Sequence, residues 1–376
     1  MIPNLTSNEQ TTNVLIDDEI FIRQRFGGVS RIFIEILKAA PTFPNFKINF
    51  SNTYSENEYL QEAQLSKLKP FLKELNFPLK GKLTRFIIGG MSHIRTRQLL
   101  KKSGIKIFHP SFYSDYFFES LPQQTKLVFT LHDLTHEKNN DALATIKERN
   151  LKRADHIIVV SSQTKEEMEY FYPFTKSKTV SIIHLAQNLP LQSQIVPHLP
   201  AKFILFVGER GAYKNFEVVL NAFKILVQKE PGLNLVCCGG QNFSKSEKLQ
   251  FKGADVSKQV LHFKLNDAQL KYVYEKAEAF IYPSLSEGFG IPVLEAMSCQ
   301  TPTLLSNIPI FKEVADKAAL FFEPHNAQEL AQQIEIIRTN TLVQTELKEL
   351  ASQRIKLFSW EKHISKTYQV YNSLCP

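Results

Sequence analysis

Short apolar runs alternate with longer stretches whose apolar residues recur at helical spacing along the whole chain. In the first half the runs fall at Val14–Ile16, Ile105–His109, Lys126–Leu131, His156–Val160 and Thr179–Ile183. In the second half they fall at Phe203–Val207, Leu233–Cys238, Val260–Phe263, Ala279–Tyr282 and Thr303–Ser306. This alternation predicts an α/β protein with parallel sheets covered by helices. Several runs end in a small or polar residue just before a helical stretch. Open α/β sheets bind ligands there, at the carboxyl ends of strands.

One segment breaks the rhythm. Asn188–Pro200 reads NLPLQSQIVPHLP, with three prolines and no helical period, which predicts an interdomain linker. It divides the chain into domains over residues 1–190 and 200–357, similar in size, with a cleft expected between them.

A length of 376 residues accommodates two such cores, and 43% hydrophobic with 22% charged residues is ordinary for a soluble globular protein. Cys237, Cys238, Cys299 and Cys375 have no zinc-ligand spacing and form no disulfide framework, so a reducing, cytoplasmic location is expected. No apolar run reaches the ~18 residues of a membrane span, and the N-terminus lacks the order of a signal peptide. The net charge of +8 is unevenly spread: eleven Lys or Arg stand against one acid, Glu74, between Lys67 and Lys106. Leu68, Phe71, Leu72, Leu75, Phe77 and Leu79 interleave with these cations. A solvated helical face and a helix on anionic lipid, at the inner face of a membrane, both fit. Nucleic acid is not an expected partner, because no recognised binding motif accompanies the charge.

Several chemistries are disfavoured. There is no GxGxxG fingerprint, no GxxxxGK[ST] loop, no Asp-x-Asp pair and no His/Asp/Glu cluster with metal-ligand spacing. Neither a metal nor a cofactor is expected. In Tyr282–Cys299, YPSLSEGFGIPVLEAMSC, an apolar strand runs into a glycine-containing loop, and Pro292 suits the start of a helix. Such a turn brings backbone amides close to an anion and sets Glu287 and Glu295 beside it. In Phe206–Phe216, FVGERGAYKNF, Gly208 follows a strand and two cations follow it, Arg210 and Lys214. Paired cations stabilise a departing phosphate. His132 and Asp133 end the strand Lys126–Leu131. Gly27 and Gly28, in RFGGVSR, lead into a helix with Arg31 near its start. His109 ends another strand, with Phe112, Tyr113 and Tyr116 just beyond. Ser161 reads as a helix cap.

The string SEGFGIPVLEAMSC resembles the E-x7-E signature of retaining GT-B glycosyltransferases, in particular glycosyltransferase family 4, and VGERGAYKN resembles that family's VGxRxxxKN pattern. The resemblance is strongest over residues 203–324. It implies the GT-B fold, two Rossmann-like domains facing across a cleft, with a final helix over about 358–376 crossing back to the first. It implies transfer of a sugar from a nucleotide sugar to a saccharide or lipid-linked acceptor, with retained configuration and no metal. Glu287 would contact the donor sugar and Glu295 the ribose. Arg210 and Lys214 would hold the diphosphate, with backbone around Gly208, Phe289, Gly290 and Leu294 close by. His132 would bond a sugar hydroxyl, and Gly27 and Gly28 would approach the diphosphate. Leu265, in FKLNDAQL, falls where the base is met, though the family's glycine is missing there. Arg31, His109, Tyr113 and Asp133 are the acceptor-side candidates. FGGVSR and VGERGAYKN point to mannosyl transfer, so GDP-mannose leads among donors. The alternatives are a GT-B phosphorylase, a nucleotide-sugar epimerase, or a basic nucleic-acid-binding protein.

Overall fold

The computed structural model describes residues 11–25, 27–51, 55–65, 82–102, 104–138, 141–187 and 189–375. It divides into two compact units, one of residues 1–184 and 360–376, the other of residues 185–359.

The first unit is built on strands β1 (Thr12–Ile16), β2 (Phe46–Phe50), β3 (Ile105–His109), β4 (Lys126–Leu131), β5 (His156–Val159) and β6 (Val180–Ile182), all parallel, in the order β2-β1-β3-β4-β5-β6. Its central strands are buried on both faces, which is why they read as unbroken apolar runs. The chain leaves β1 towards β2 and returns on the other side at β3, so the strand order reverses between β1 and β3. The final helix, Trp360–Leu374, packs within this unit: Tyr368 donates to the Ile36 carbonyl at 3.3 Å and stacks on Phe43. Ser161 caps the helix Ser162–Phe171 by accepting the Thr164 N–H at 3.0 Å.

The second unit repeats the plan with β7 (Phe203–Val207), β8 (Asn234–Cys238), β9 (Val260–Phe263), β10 (Ala279–Tyr282), β11 (Thr303–Ser306) and β12 (Leu320–Phe322), parallel, in the order β12-β11-β10-β7-β8-β9. The order reverses between β7 and β10. Its core joins Ile204, Phe206, Leu235 and Ile281 to Val219, Phe223 and Leu226 of the helix Phe216–Lys229 and Leu330 and Ile334 of the helix Ala327–Thr339. The proline-rich segment is part of this unit. Val196 is buried, the Gln194 N–H donates to the Ala268 carbonyl at 2.9 Å, and Lys271 holds the Pro190 and Leu191 carbonyls.

Strands β2 and β12 were not evident as apolar runs. β2 (FKINF) is only half-buried, and β12 is three residues long. The apolar positions of residues 68–79 lie outside the described residues.

Candidate active site

In the second unit the predicted groups gather at the carboxyl ends of β7 and β10, the point where strand order reverses and where such sheets hold ligands. After β7 the chain turns through Gly208, with φ +134°, and its N–H donates to the Cys238 carbonyl at 2.8 Å. Gly239 and Gly240, after β8, pack directly on this turn. A Cβ on Gly239 would stand 3.3 Å from Gly208 N, and one on Gly240 would stand 3.2 Å from Glu209 Cα. These two glycines carry no nucleotide fingerprint, yet they are what lets the Gly208 turn sit so low.

Arg210 is held in place before any ligand arrives. Its Nε donates to Glu247 Oε1 at 2.6 Å, its Nη2 to the Gln241 carbonyl, and its guanidinium lies 4.8 Å from the Phe243 ring centroid. Glu247 is itself fixed by the capping box of the helix Lys245–Gly253. Arg210 Nη1 is buried and has no hydrogen-bond partner among the described residues. A buried donor left unmatched costs about 1–3 kcal/mol, which an arriving acceptor would return.

Lys214 joins the two motifs. Its ammonium donates to Tyr282 Oη at 3.0 Å and to Glu287 Oε1 at 2.5 Å, both carboxylate and ammonium being largely buried. The loops are also tied by backbone. Leu285 N–H donates to the Tyr213 carbonyl at 2.8 Å, and Asn215 Nδ2 donates to the Pro283 and Pro324 carbonyls at 3.2 and 2.6 Å. Burial, then the Glu287 charge beside it, pushes the Tyr282 phenol well above its ordinary range, so it stays protonated.

Gly290 takes φ +97° and a Cβ there would lie 3.1 Å from Phe311 Cε1, so glycine is required at this turn. It opens the helix Ile291–Ser298, with Pro292 in the first turn and no side-chain cap on the N-terminal amides. Such an end favours an anion. One turn in, Glu295 Oε2 accepts the Tyr274 hydroxyl at 3.0 Å. Phe289 and Leu294 are buried, so only their backbones are available to a ligand. Leu265 is half-buried, just after β9 and before the Asn266 cap of the helix Asp267–Lys276.

In the first unit, His132 and Asp133 follow β4. The His132 N–H donates to Tyr113 Oη at 2.8 Å, and His132 Nδ1 is buried with no partner among the described residues. Burial, with Lys147 and His363 nearby, lowers its pKa to about 4 against the pull of Asp133, so it is neutral at physiological pH. Gly27 is extended and Gly28 opens the helix Gly28–Ala39, but the Ser30 N–H at that helix start is taken by Gln24 Oε1 at 3.2 Å. Arg31 lies 3.6 Å from the Tyr59 ring centroid.

Two acceptor-side expectations change. His109 is buried with both nitrogens engaged, Nδ1 by Tyr371 Oη at 2.7 Å and Nε2 by Thr130 Oγ1 at 2.8 Å. It is a core residue, and burial pushes its pKa down to about 3. Tyr113 is also buried, and its hydroxyl serves the His132 backbone. A strand-end aromatic pattern cannot distinguish a side chain turned inward from one turned outward.

Sequence reasoning missed a buried acidic cluster after β1. Asp17 accepts Ser111 N–H at 2.8 Å, Ser111 Oγ at 2.5 Å and Tyr116 Oη at 2.7 Å, and burial raises its pKa to about 6. Asp18 accepts Ser51 Oγ at 3.2 Å and Ser92 Oγ, while Glu19 pairs with Arg23 and with His93, at 2.7 and 2.6 Å. The signal was present: three acids in succession directly after an apolar strand. Tyr274 and Tyr282 were missed as partners of the two glutamates, because both lie on otherwise apolar segments.

Two family models cover most of the chain, glycosyl transferases group 1 at residues 191–354 and glycosyltransferase family 4 at residues 55–185. The chain carries a glycosyltransferase family 4 domain and a glycosyl transferases group 1 domain. It is a transferase. The O-antigen chain mannosyltransferase B of Escherichia coli is 25% identical over 319 residues, which are 74% of this chain and 81% of that protein. The O-antigen chain mannosyltransferase RfbU of Salmonella typhimurium is 31% identical over 179 residues, 46% of this chain and 48% of that protein, about half its length. Among solved structures, sucrose-phosphate synthase from Thermosynechococcus elongatus superposes with a TM-score of 0.73 at 19% identity, covering 97% of this transferase and 99% of that chain. The structural likeness identifies the GT-B fold.

Proposed function

We propose that this transferase moves mannose from GDP-mannose to a saccharide or lipid-linked acceptor in cell-surface polysaccharide synthesis, retaining the anomeric configuration and using no metal. The observation that carries the reading is the Lys214–Glu287–Tyr282 cluster, set at the strand-order reversal on the loop that also carries the unmatched Arg210 Nη1. Lys214, Arg210 and the amides around Gly208 and Gly290 take the diphosphate, Glu287 takes the sugar and Glu295 the ribose. His132 hydrogen-bonds a sugar hydroxyl. The acceptor oxygen attacks C1 on the face the phosphate leaves, the C1–O bond to phosphate breaks, and the acceptor proton passes to the departing phosphate oxygen. The glycoside and the nucleoside diphosphate are the products. Two mannosyltransferase relatives support mannose as the sugar. The test is incubation with GDP-mannose with and without oligosaccharide acceptors. Acceptor-dependent GDP release and an α-linked product by NMR are expected. GDP release that ignores the acceptor, or an inverted product, would overturn the reading.

Glu295→Gln weakens the ribose contact of a charged acceptor. An increase in donor KM of about 10- to 100-fold, with a smaller change in kcat, is expected from steady-state kinetics.

Peripheral contact with an anionic membrane is also part of this proposal, and it is supported by apolar side chains exposed along one helix. Along Lys82–Lys101, Ser92 and Thr96 are buried against Asp18 and Ser51, while Ile87, Met91 and Ile94 are 48%, 60% and 55% exposed. Residues 82–106 carry seven Lys or Arg and no acid. An apolar stripe with a basic border suits lipid headgroups. No helix among the described residues is long and apolar enough to cross a membrane. Met91→Glu/Ile94→Glu is expected to abolish retention on phosphatidylglycerol vesicles at low salt without changing the melting temperature. Undiminished retention would remove this surface from the account.

A further inference from the structure

Beneath His132 lies a charged group that the transfer scheme does not use. Lys147, on the helix Ala142–Arg153, is fully buried. Its ammonium donates to the Asp133 carbonyl at 2.8 Å and to Glu137 Oε2 at 2.9 Å, and it lies 3.7 Å from Asp133 Oδ1. It also sits 4.7 Å from the centroid of the Tyr113 ring, whose hydroxyl accepts the His132 N–H. Glu137 is buried in turn and accepts the Tyr172 hydroxyl at 2.8 Å. Lysine is almost never fully buried unless paired, and an apolar side chain of similar volume often fills such a place with no loss of stability. Pairing with Glu137 makes the burial tolerable but does not say why a cation stands there. Its other contacts do. They fall on the peptide that carries His132 and Asp133 and on the ring that holds the His132 backbone.

We infer that Lys147 is a positioning residue for the transfer, gripping the Asp133 carbonyl and backing Tyr113 so that the loop after β4 presents the His132 imidazole in one direction. The inference rests on the assignment of His132 to the donor sugar made above. It has an electrostatic consequence. The groups facing His132 are Asp133 on its own loop, Lys147 from the helix Ala142–Arg153, Tyr113 from the segment after β3, His109 from β3 and His363 from the C-terminal helix. His363 Nδ1 donates to the His184 carbonyl at 3.0 Å, which fixes its tautomer. Burial first, then Lys147 and His363, hold the imidazole neutral, while Asp133 alone favours its cation. Asp133 is the mirror image: burial opposes its charge, and Lys147, the Thr135 hydrogen bonds and His132 together outweigh burial to keep it a carboxylate. Without the ammonium, only burial and His363 remain to oppose the Asp133 carboxylate facing His132. The imidazole then protonates at higher pH, its free lone pair is lost, and the acid limb of activity moves up.

Three variants of the full chain test this. Lys147→Met removes the charge, Lys147→Arg keeps it, and Lys147→Met/Glu137→Gln carries the test where an unpaired Glu137 prevents folding of the single variant. The His132 titration is followed by 1H–15N NMR, alongside the pH profile of kcat/KM. In the methionine variants both are expected to move upward by about one pH unit or more, with kcat falling further than KM rises, and the arginine variant stays near wild type. A folded methionine variant whose His132 titration and acid limb stay at their wild-type positions overturns the inference. His132→Ala separates the two claims. Wild-type transfer in that variant overturns the role given to His132, whereas an unmoved titration overturns the role given to Lys147.

Discussion

Lys214→Ala lowers kcat/KM by about two to three orders of magnitude, the usual effect of removing a preorganised charge from a developing anion. The size follows from where the ammonium sits. It is held between Tyr282 Oη and Glu287 Oε1 on a loop tied by backbone to the segment after β10, so little reorganisation is needed to meet a leaving phosphate. Part of any loss in the single variant has another source, because Glu287 is left largely buried with no counter-ion. Lys214→Ala/Glu287→Gln removes that source. The double variant should recover melting temperature and recover no turnover, since both charges that the proposal assigns to the donor are gone. Near-wild-type rates in either variant would show that the phosphate is stabilised elsewhere.

Gly240→Val should be the most damaging substitution outside the motif residues. The position has φ +65°, where a β-branched residue is strained by about 1–3 kcal/mol. Its Cβ would press on backbone, at 3.2 Å from Glu209 Cα and 3.3 Å from the Gly208 carbonyl oxygen, and neither can rotate away. The Gly208 turn must rise, and with it Arg210, whose guanidinium depends on Gln241 and Glu247. Calorimetry should show the stability loss, and donor binding should weaken at least tenfold beyond what reduced stability explains. A folded variant with wild-type donor affinity would show that the two glycine turns are not coupled.

How much of this is legible in the sequence depends on range. The central strands and the two motif loops were legible because buried parallel strands are apolar throughout and the turns that follow them need glycine or proline in fixed places. The edge strands β2 and β12 were not, since one is half-buried and alternating and the other is too short to stand out. Gly239 and Gly240 fit no fingerprint. They pack against Gly208 and Glu209, far back along the chain, which no local pattern records. For the same reason nothing local marks Tyr274 and Tyr282, although one hydrogen-bonds Glu295 and the other Lys214. Nothing in the sequence around Lys147 marks it, and only the fold brings its ammonium to the Asp133 carbonyl beside His132. The fate of His109 runs the other way. A polar residue at a strand end suggested a ligand contact, and the C-terminal helix supplies Tyr371 to satisfy it internally.

The central claim is that the loops after β7 and β10 bind a nucleotide sugar through its diphosphate. Thermal denaturation of wild type and Lys214→Ala across a panel of GDP- and UDP-sugars tests it most directly, because a ligand that binds only the folded state raises the melting temperature with occupancy. The expected result is a concentration-dependent rise for wild type, largest with GDP-mannose, that is mostly lost in Lys214→Ala. A panel in which no nucleotide sugar stabilises wild type, or in which both proteins are stabilised equally, would contradict it.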